Sequence, residues 1–254
     1  MSALFEARGL SRRFGRVQAL DKADFDVNAG EVVALIGDNG AGKSTLVKAL
    51  TGNLDIDEGE IYFEGERVHY DTPHEASAAG IEVVHQDLAL APHLDSAQNM
   101  FLGREIMRPG VFGKLGFMDN TAMRTKAAQA FTELGSAVRS VVVPVGSMSG
   151  GQKQSVAIAR AVSWANKVLF LDEPTAALGV VQTHNVLETI KRVRDSGLAV
   201  VLISHSMPHV LEVADRVQVL RLGRRVATLQ AADSTVEQLV GAMTGALDRK
   251  EGAA

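Results

Sequence analysis

The chain has 254 residues and a formal net charge of −4, and 46% of its residues are hydrophobic and 22% charged. These values are ordinary for a globular protein with a sizeable core, and the negative charge argues against a general attraction to nucleic acid. The chain has no cysteine, which excludes disulfides and thiolate metal sites and favours a cytosolic location. No apolar run approaches the roughly 18 residues of a membrane-spanning helix, so a membrane role would require a partner.

The apolar pattern predicts an α/β fold. In the first third of the chain it predicts strands at 4–10, 23–27, 31–36, 61–65 and 81–84, and helices at 46–51 and 74–79. A basic loop at 11–16, which contains Phe14, separates the first two strands. Further strands are predicted at 168–171, 198–203 and 217–220, with a helix at 235–243 and then a polar tail at 246–254 that we expect to be disordered.

The region between these two parts has a different character. From 87 to 155, proline and glycine repeatedly interrupt the pattern, and the longest helical stretch begins with Asp119 as its N-cap and ends at Gly135. We interpret this region as a helical insertion into a single domain, whose core spans about 1–86 and 156–245.

The chemistry of the sequence centres on a glycine-rich segment between a predicted strand and a predicted helix. It matches the phosphate-loop pattern G-x-x-x-x-G-K-[ST] at every position, with the residues Gly37, Asp38, Asn39, Gly40, Ala41, Gly42, Lys43, Ser44 and Thr45. The glycines let the backbone curl so that N–H groups point at an anion, and the next helix presents its N-terminus to the phosphates. Lys43 would bind the β- and γ-phosphates, and the Ser44 hydroxyl would be a ligand of Mg²⁺. A chance match in a glycine turn is the alternative, but the flanking strand and helix favour a nucleotide site.

Two acidic residues end the apolar strand predicted at 168–171. In a phosphate-loop protein the first of them, Asp172, orders Mg²⁺ and its waters. The second, Glu173, is placed where a carboxylate can polarise a water for in-line attack on the γ-phosphate. A buried strand that ends in solvated acids is the alternative, and the phosphate loop in the same chain favours the functional interpretation.

A second anion-binding pattern precedes that strand. Ser149 can cap the helix that follows it, and Gly150 and Gly151 leave the first N–H groups of that helix accessible. An ordinary helix cap is the alternative, although Ser-Gly-Gly-Gln is an unusual one. The segment Met148-Ser149-Gly150-Gly151-Gln152 is similar to the signature of the ABC ATPases, whose usual form is LSGGQ.

Three further residues resemble motifs of the ABC ATPases. Gln86, after a predicted strand, resembles the Q-loop glutamine, which touches Mg²⁺ and senses the transmembrane partner. His205 resembles the switch histidine, which contacts the γ-phosphate, and Phe14 resembles the aromatic residue that stacks on adenine. The resemblance covers roughly residues 4–230. It implies a P-loop NTPase core of the ABC type with an inserted helical subdomain and a site for ATP and Mg²⁺.

The resemblance also implies a mechanism. In this family two subunits enclose each ATP between the phosphate loop of one and the signature helix end of the other, so the chain is expected to act as a homodimer. The implied catalytic residues are Lys43, Gln86, Glu173 and His205. One position departs from the family, because Gly179 stands where the D-loop usually has an aspartate. This departure weakens any expectation of an aspartate contact across the dimer interface.

Several segments resemble one branch of the family, the monosaccharide importers. Residues 92–94 and 98–105 are similar to that branch, and residues 175–180 and 204–210 are most similar to its fructose-type members. The resemblance implies a polytopic membrane permease that docks near 86–110, a periplasmic or lipid-anchored sugar-binding protein, and a peripheral place on the cytoplasmic face of the inner membrane.

The choice of substrate belongs to those other chains, so the sugar cannot be read from this sequence. Two alternatives stay open: an ATPase for another solute, and a soluble ABC ATPase that acts on ribosomes or DNA. Members of the second kind usually have paired ATPase domains and basic surfaces, whereas this chain has one such domain and a net negative charge.

Overall fold

The structure, a computed structural model, describes residues 3–136, 138 and 140–246. The strands in this part of the chain are β1 Phe5–Phe14, β2 Val17–Val27, β3 Val32–Ile36, β4 Glu58–Phe63, β5 Glu66–Val68, β6 Ile81–Val84, β7 Val168–Asp172, β8 Ala199–Ile203, β9 Arg216–Arg221 and β10 Arg224–Gln230. The helices are α1 Lys43–Leu50, α2 Pro73–Ala78, α3 Ser96–Phe101, α4 Val111–Lys114, α5 Asn120–Glu133, α6 Gly150–Trp164, α7 Val180–Asp195, α8 Met207–Val213 and α9 Val236–Thr244. None of the helices in these residues combines the length and apolarity needed to cross a membrane.

The larger sheet forms the centre of the molecule, with the strand order β10-β9-β3-β8-β7-β6. The five strands β9, β3, β8, β7 and β6 are parallel, and β10 pairs antiparallel with β9. Successive residues Val200 and Val201 of β8 are fully buried in hydrophobic clusters on opposite faces of the sheet. Burial on both faces explains why these strands read as continuous apolar runs rather than as alternating ones. Because β3, β6, β7 and β8 run parallel, their carboxyl ends meet at one edge of the sheet. Open α/β sheets bind their ligands at this edge.

A smaller antiparallel sheet, in the order β2-β1-β4-β5, packs against the larger one. The buried Phe5 ring lies 5.4 Å from the Phe63 ring within the small sheet and 6.3 Å from the Phe170 ring of β7, in both cases edge to face. These contacts bury large aromatic side chains between the two sheets, which fixes their relative position.

The prediction of a basic loop at 11–16 is wrong for residues 11–14, because β1 continues to Phe14. Arg12 forms an ion pair with Asp57 at 2.8 Å, and Arg13 Nε donates to Gln18 Oε1 of β2 at 2.9 Å. Cross-strand partners of this kind satisfy the basic side chains on a β-hairpin, so their charge does not end the strand. The predicted strand at 23–27 likewise begins earlier, at Val17.

The helices α3, α5 and α6 form one packed group over the large sheet, and buried Met100, Phe131 and Ile158 belong to the same hydrophobic cluster. The cap predicted for the long helix is confirmed, since the Asp119 carboxylate accepts a hydrogen bond from the Ala122 N–H at 2.9 Å. The start of α3 was not predicted, although a capping box between Asp95 and Gln98 marks it.

The domain boundaries stay predictions. Helix α6 runs continuously across the boundary predicted between 155 and 156 and packs against both α3 and β6. Of the tail predicted to be disordered, Ala246 is described and donates its N–H to Gly241 O at 2.9 Å, while the rest lies outside the described residues.

Candidate nucleotide-binding site

A cleft of about 420 Å³ opens at the carboxyl edge of the large sheet. It is lined by residues from β2, the phosphate loop, the segment after β6, and the ends of β7 and β8, namely Val17, Gln18, Ala19, Asn39, Gly40, Ala41, Gly42, Lys43, Ser44, Thr45, Gln86, Asp172, Glu173, Ile203 and His205. Residues separated by more than a hundred positions in the sequence thus meet in one cleft, because parallel strands bring their carboxyl ends to the same edge.

Two glycines of the phosphate loop, Gly37 and Gly42, are required by close packing. An added Cβ on Gly37 would overlap the Leu220 carbonyl, and one on Gly42 would lie 2.6 Å from Ala19 O. Gly42 also has a φ of 104°, in the left-handed region that disfavours other residues. As the N-cap of α1 it provides no side-chain hydrogen bond to the helix. The first N–H groups of α1 therefore remain available to an anion.

Lys43 is the only residue of the loop that brings a positive charge into the cleft, and it is buried. Its Nζ donates to Gly37 O at 2.6 Å and to Asp38 O at 3.1 Å, which holds the ammonium group over the loop. Burial lowers the pKa of Lys43, and the charges of Glu173 and Asp172 oppose that shift. This geometry fixes a cation in the cleft, where it could meet an anionic ligand.

Glu173 is held in an unusual conformation with an unsatisfied carboxylate oxygen. Its φ is 49°, and its N–H donates to Ile203 O at 2.9 Å. Its Oε1 is buried and has no hydrogen-bond partner within the described residues, and His205 Nε2 lies 3.4 Å away without completing a hydrogen bond. Strain and an unpaired polar atom at the same residue are typical of functional sites, where a ligand or water supplies the missing partner.

Two causes raise the pKa of Glu173 above its ordinary value of 4.5, first its burial and second the negative charge of Asp172. Burial also raises the pKa of Asp172, although Lys43 and two histidines oppose the shift. Two adjacent half-buried carboxyl groups, both with raised pKa, form an arrangement that an added cation would stabilise.

The residues predicted to hold Mg²⁺ fit that ion. The Ser44 hydroxyl, the Gln86 amide and the Asp172 carboxylate line the same cleft and offer the oxygen ligands that Mg²⁺ prefers. The absence of cysteine from the chain is in keeping with a hard cation rather than a thiophilic one.

His205 lies at the end of β8 on the side of the cleft that faces Glu173. Partial desolvation and the charge of Lys43 lower the pKa of His205 below the ordinary value of 6.5, which favours the neutral imidazole although the side chain is 47% exposed. A neutral imidazole can donate one hydrogen bond and accept another, which suits a contact with a phosphate oxygen.

Replacing Glu173 by glutamine is expected to raise the melting temperature of the nucleotide-free protein at neutral pH. The folded protein binds a proton at Glu173 more readily than the unfolded chain does, because the pKa of Glu173 is raised in the folded state. The free energy of unfolding therefore falls as pH rises above 4.5, until the pH exceeds the pKa of Glu173 in the folded state.

Thermal melts of both proteins between acidic and neutral pH would test this prediction, with the difference shrinking as pH falls toward 4.5. The exposed Glu66 of β5 provides the matched control, and Glu66→Gln should melt with the wild type. Equal melting temperatures for wild type and Glu173→Gln at neutral pH would contradict the assignment of a charge penalty to Glu173.

Phe14 does not line this cleft. It lies at the end of β1, 47% exposed, with the Arg12 guanidinium 5.2 Å from its ring centre. The cleft wall nearest to it is formed by Val17, Gln18 and Ala19, which were not singled out in the sequence. No signal in the sequence could have identified these three residues, because they form part of the cleft wall and supply no reactive group. Stacking of Phe14 on adenine stays a prediction.

The signature residues also lie outside the cleft. Ser149 caps α6 through a capping box, with its Oγ accepting from the Gln152 N–H at 3.3 Å, as the sequence predicts. Ser149 and Gly150 are exposed and do not line the cleft of their own chain, so this helix end is open to another molecule. Gly151 is packed tightly, since an added Cβ would lie 2.5 Å from Gln182 Cγ of α7.

Comparison with known proteins decides the family. The family model described as ABC transporter matches residues 20–176, which is more than half of the chain. The chain belongs to the ABC transporter family. The resemblance read from the motifs is thus confirmed, and so is the α/β fold of an ABC ATPase.

Among proteins similar to this ABC ATPase, the fructose import ATP-binding protein FrcA of Rhizobium meliloti is 52% identical, over 96% of this chain and 94% of that protein. The xylose/arabinose import ATP-binding protein XylG of Sulfolobus acidocaldarius is 41% identical, over 96% of this chain and 95% of that protein. The crystal structure of the ADP conformation of MJ1267, an ATP-binding cassette of an ABC transporter, is 26% identical, with a TM-score of 0.79 and 96% of both chains covered.

Proposed function

We propose that this ABC ATPase hydrolyses ATP to power the import of a monosaccharide through a separate membrane permease. The hydrolytic part rests on one observation above all: Glu173 lines the same cleft as the phosphate loop, and its Oε1 is buried without a hydrogen-bond partner within the described residues. The transport part is supported by the relatives, which are named as fructose and xylose/arabinose import ATP-binding proteins and match nearly their full lengths.

In the proposed reaction a water attacks the γ-phosphorus in line with the bond to the β–γ bridging oxygen. Glu173 orients this water and accepts its proton, the bridging bond breaks, and the products are ADP and inorganic phosphate. Lys43 and the first N–H groups of α1 stabilise the charge on the phosphate oxygens, and His205 contacts the γ-phosphate. These roles agree with the positions of Glu173, Lys43 and His205 around one cleft.

Ser44, Gln86 and Asp172 would hold Mg²⁺, which neutralises charge on the phosphates when it is bound. Asp172 contributes the negative charge of the set, and its pKa, raised by burial, would fall in the presence of the cation. Gln86 lies in the exposed segment directly after β6, so a partner that displaces this segment would move an Mg²⁺ ligand.

The complete site is proposed to form between two copies of the chain. The phosphate loop lines the cleft of one copy. The Ser149–Gln152 helix end, exposed at Ser149 and Gly150 and absent from the lining of its own cleft, would close over the ATP from the other copy. Helix α6 has 15 residues, so its N-terminus carries the partial positive charge that favours a phosphate.

The proposed partners are a polytopic permease, which docks near 86–110, and through it a periplasmic or lipid-anchored sugar-binding protein. The chain would then lie on the cytoplasmic face of the inner membrane as a peripheral subunit. The residues described contain no helix suited to crossing the membrane, so the attachment would be made by the permease.

A pull-down tests this proposal directly. Tagged Glu173→Gln protein is incubated with ATP and detergent-solubilised native membranes, and the same incubation without ATP is the control. We expect recovery of a polytopic permease, and the sugar-binding protein found with it can be tested against fructose, ribose and xylose to identify the sugar. Recovery of ribosomal or DNA-repair proteins without a permease would overturn the transport function while leaving the ATP site intact, and a binding protein for an amino acid would change the substrate class.

A further inference from the structure

Two segments that are distant in the sequence, 175–180 and 204–210, contact each other beside the nucleotide cleft. Thr175 Oγ1 and His209 Nδ1 lie 3.2 Å apart, at hydrogen-bond distance, although 34 positions separate the two residues. Neither residue lines the cleft, but Thr175 closely follows Glu173 and His209 closely follows His205, which both do. An effect of the pair on the reaction would therefore pass through the residues beside it.

The loop that follows Glu173 is strained. Glu173 and Ala177 have φ values of 49° and 57°, in the left-handed region that residues other than glycine rarely adopt. Such conformations persist only where the surrounding structure holds them. Ala177 is exposed, so packing does little to hold it. In the described part of the chain, the bond to His209 is the only side-chain hydrogen bond of residues 174–179.

His209, in contrast, belongs to a firmly packed helix. Its neighbours Met207 and Val210 are buried in the hydrophobic cluster that joins α8 to β3. Pro208 lies in the first turn of α8, where its fixed φ favours the helical conformation. The hydrogen bond therefore connects a strained loop to a rigid element, and the rigid element determines where the loop lies.

The two side chains suit this purpose. A threonine hydroxyl can both donate and accept a hydrogen bond, and a neutral imidazole Nδ1 does one or the other, so the pair can form with either tautomer of His209. The β-branched side chain of Thr175 also has restricted χ1 freedom. Holding its hydroxyl in place thus fixes the backbone of the loop with little slack.

The loop begins at the proposed general base. The Glu173 N–H donates to Ile203 O at 2.9 Å, which attaches the start of the loop to the end of β8. The bond from Thr175 to His209 attaches the loop a second time, to the helix that follows β8. A general base acts only from within hydrogen-bond reach of the proton that it accepts, so these two attachments bear directly on the reach of Glu173.

We propose that Thr175 and His209 are positioning residues for Glu173, and that their hydrogen bond holds the carboxylate in line with the attacking water. The inference rests on the proposed hydrolytic function, in which Glu173 is the general base. It adds α8 as the support of that base, and it assigns a role to two residues that do not touch the nucleotide cleft.

Phosphate release by the purified full chain tests this inference. His209→Ala and Thr175→Val are each expected to lower kcat about tenfold while KM for ATP changes less than about twofold, since Lys43 and the loop glycines are untouched. The double variant should be no slower than either single variant, because one hydrogen bond can be lost only once. Melting temperatures should stay close to that of the wild type.

Conservative variants separate the hydrogen bond from packing. His209→Asn should retain most of the turnover, because its amide lies as many bonds from the backbone as Nδ1 does, whereas the longer side chain of His209→Gln should not restore it. Thr175→Ser keeps the hydroxyl and should also remain active. His74→Ala is the matched control, since His74 is exposed on α2 and does not line the cleft.

A second background tests whether the pair acts through Glu173. In Glu173→Gln protein, measured in a single turnover, adding His209→Ala should cause no further loss of rate, because the residue that it positions is already inactive. A further loss in this background, or a loss of ATP affinity that matches the loss of turnover, would mean that the pair supports the whole site and would overturn the inference.

Two other results would also overturn it: normal turnover by His209→Ala or Thr175→Val, and a double variant whose loss equals the product of the single losses. All of these outcomes leave the proposed hydrolysis intact, because the wild type still turns over ATP in each of them. Absence of turnover in the wild type itself would overturn the proposed hydrolysis together with the inference.

Discussion

Glu173→Gln is expected to lower ATP turnover at least about hundredfold while leaving ATP binding intact. Glutamine has the shape of glutamate but cannot accept a proton from the attacking water. The residues that would hold the phosphates, Lys43 and the loop glycines, are unchanged by this substitution. Hydrolysis is therefore removed without removing affinity.

The expected consequence is a dimer that closes on ATP and does not reopen. Size-exclusion chromatography with ATP should show Glu173→Gln as a stable dimer and the wild type as a species that reverts when ATP is consumed. Phosphate release gives the turnover, and nucleotide fluorescence gives the affinity. Glu66→Gln, at an exposed position of β5, should behave as the wild type in all three assays. Turnover by Glu173→Gln within a few-fold of the wild type would remove Glu173 from the role of general base.

The parts of the site that could be predicted from the sequence are those whose function depends on residues that are consecutive in the chain. The phosphate loop is recognisable because its specified positions are local requirements, such as the left-handed φ of 104° at Gly42. Asp172 and Glu173 stand out because they end an apolar strand in a chain that also has a phosphate loop. The order of these motifs along the chain was enough to identify the family, which the comparisons confirm.

The parts of the fold and of the site that could not be predicted from the sequence depend on contacts between segments that are distant in the chain. Strand β10 was not predicted, because its alternating pattern is only partly apolar and its pairing with β9 supplies the stability. The wall of the cleft at Val17–Ala19 follows from how the small sheet packs on the large one. The extension of β1 to Phe14 depends on Asp57, more than forty residues away, which pairs with Arg12. No local pattern carries this information.

Mixing two inactive variants is expected to restore ATP hydrolysis if the site is shared between two copies of the chain. Lys43→Ala removes the phosphate-binding cation from the cleft, and Gly150→Asp places a negative charge at the exposed end of α6. Each homodimer then has two defective sites. A mixed dimer has one site with both defects and one with an intact phosphate loop facing an intact signature.

Gly150 suits this experiment because the substitution should not disturb the fold. A Cβ at this position would meet Leu178 Cδ2 at 3.6 Å, an ordinary contact, and aspartate is favourable in the first turn of a helix. The charge would act on the phosphates of the ATP held by the other copy. Gly150→Ala, which adds the Cβ without the charge, is the matched control and should remain active.

With random pairing about half of the dimers in an equimolar mixture are mixed, and each contains one intact site of two, so activity should approach about a quarter of the wild type. The variants are mixed without nucleotide to allow subunit exchange, and phosphate release is measured after ATP is added. Circular dichroism of each variant alone establishes that both are folded. A mixture no more active than the mean of its components would show that each chain hydrolyses ATP without the α6 end of a second copy. Restored activity would instead mean that Ser149–Gln152, outside the cleft of its own chain, acts on the ATP of its partner.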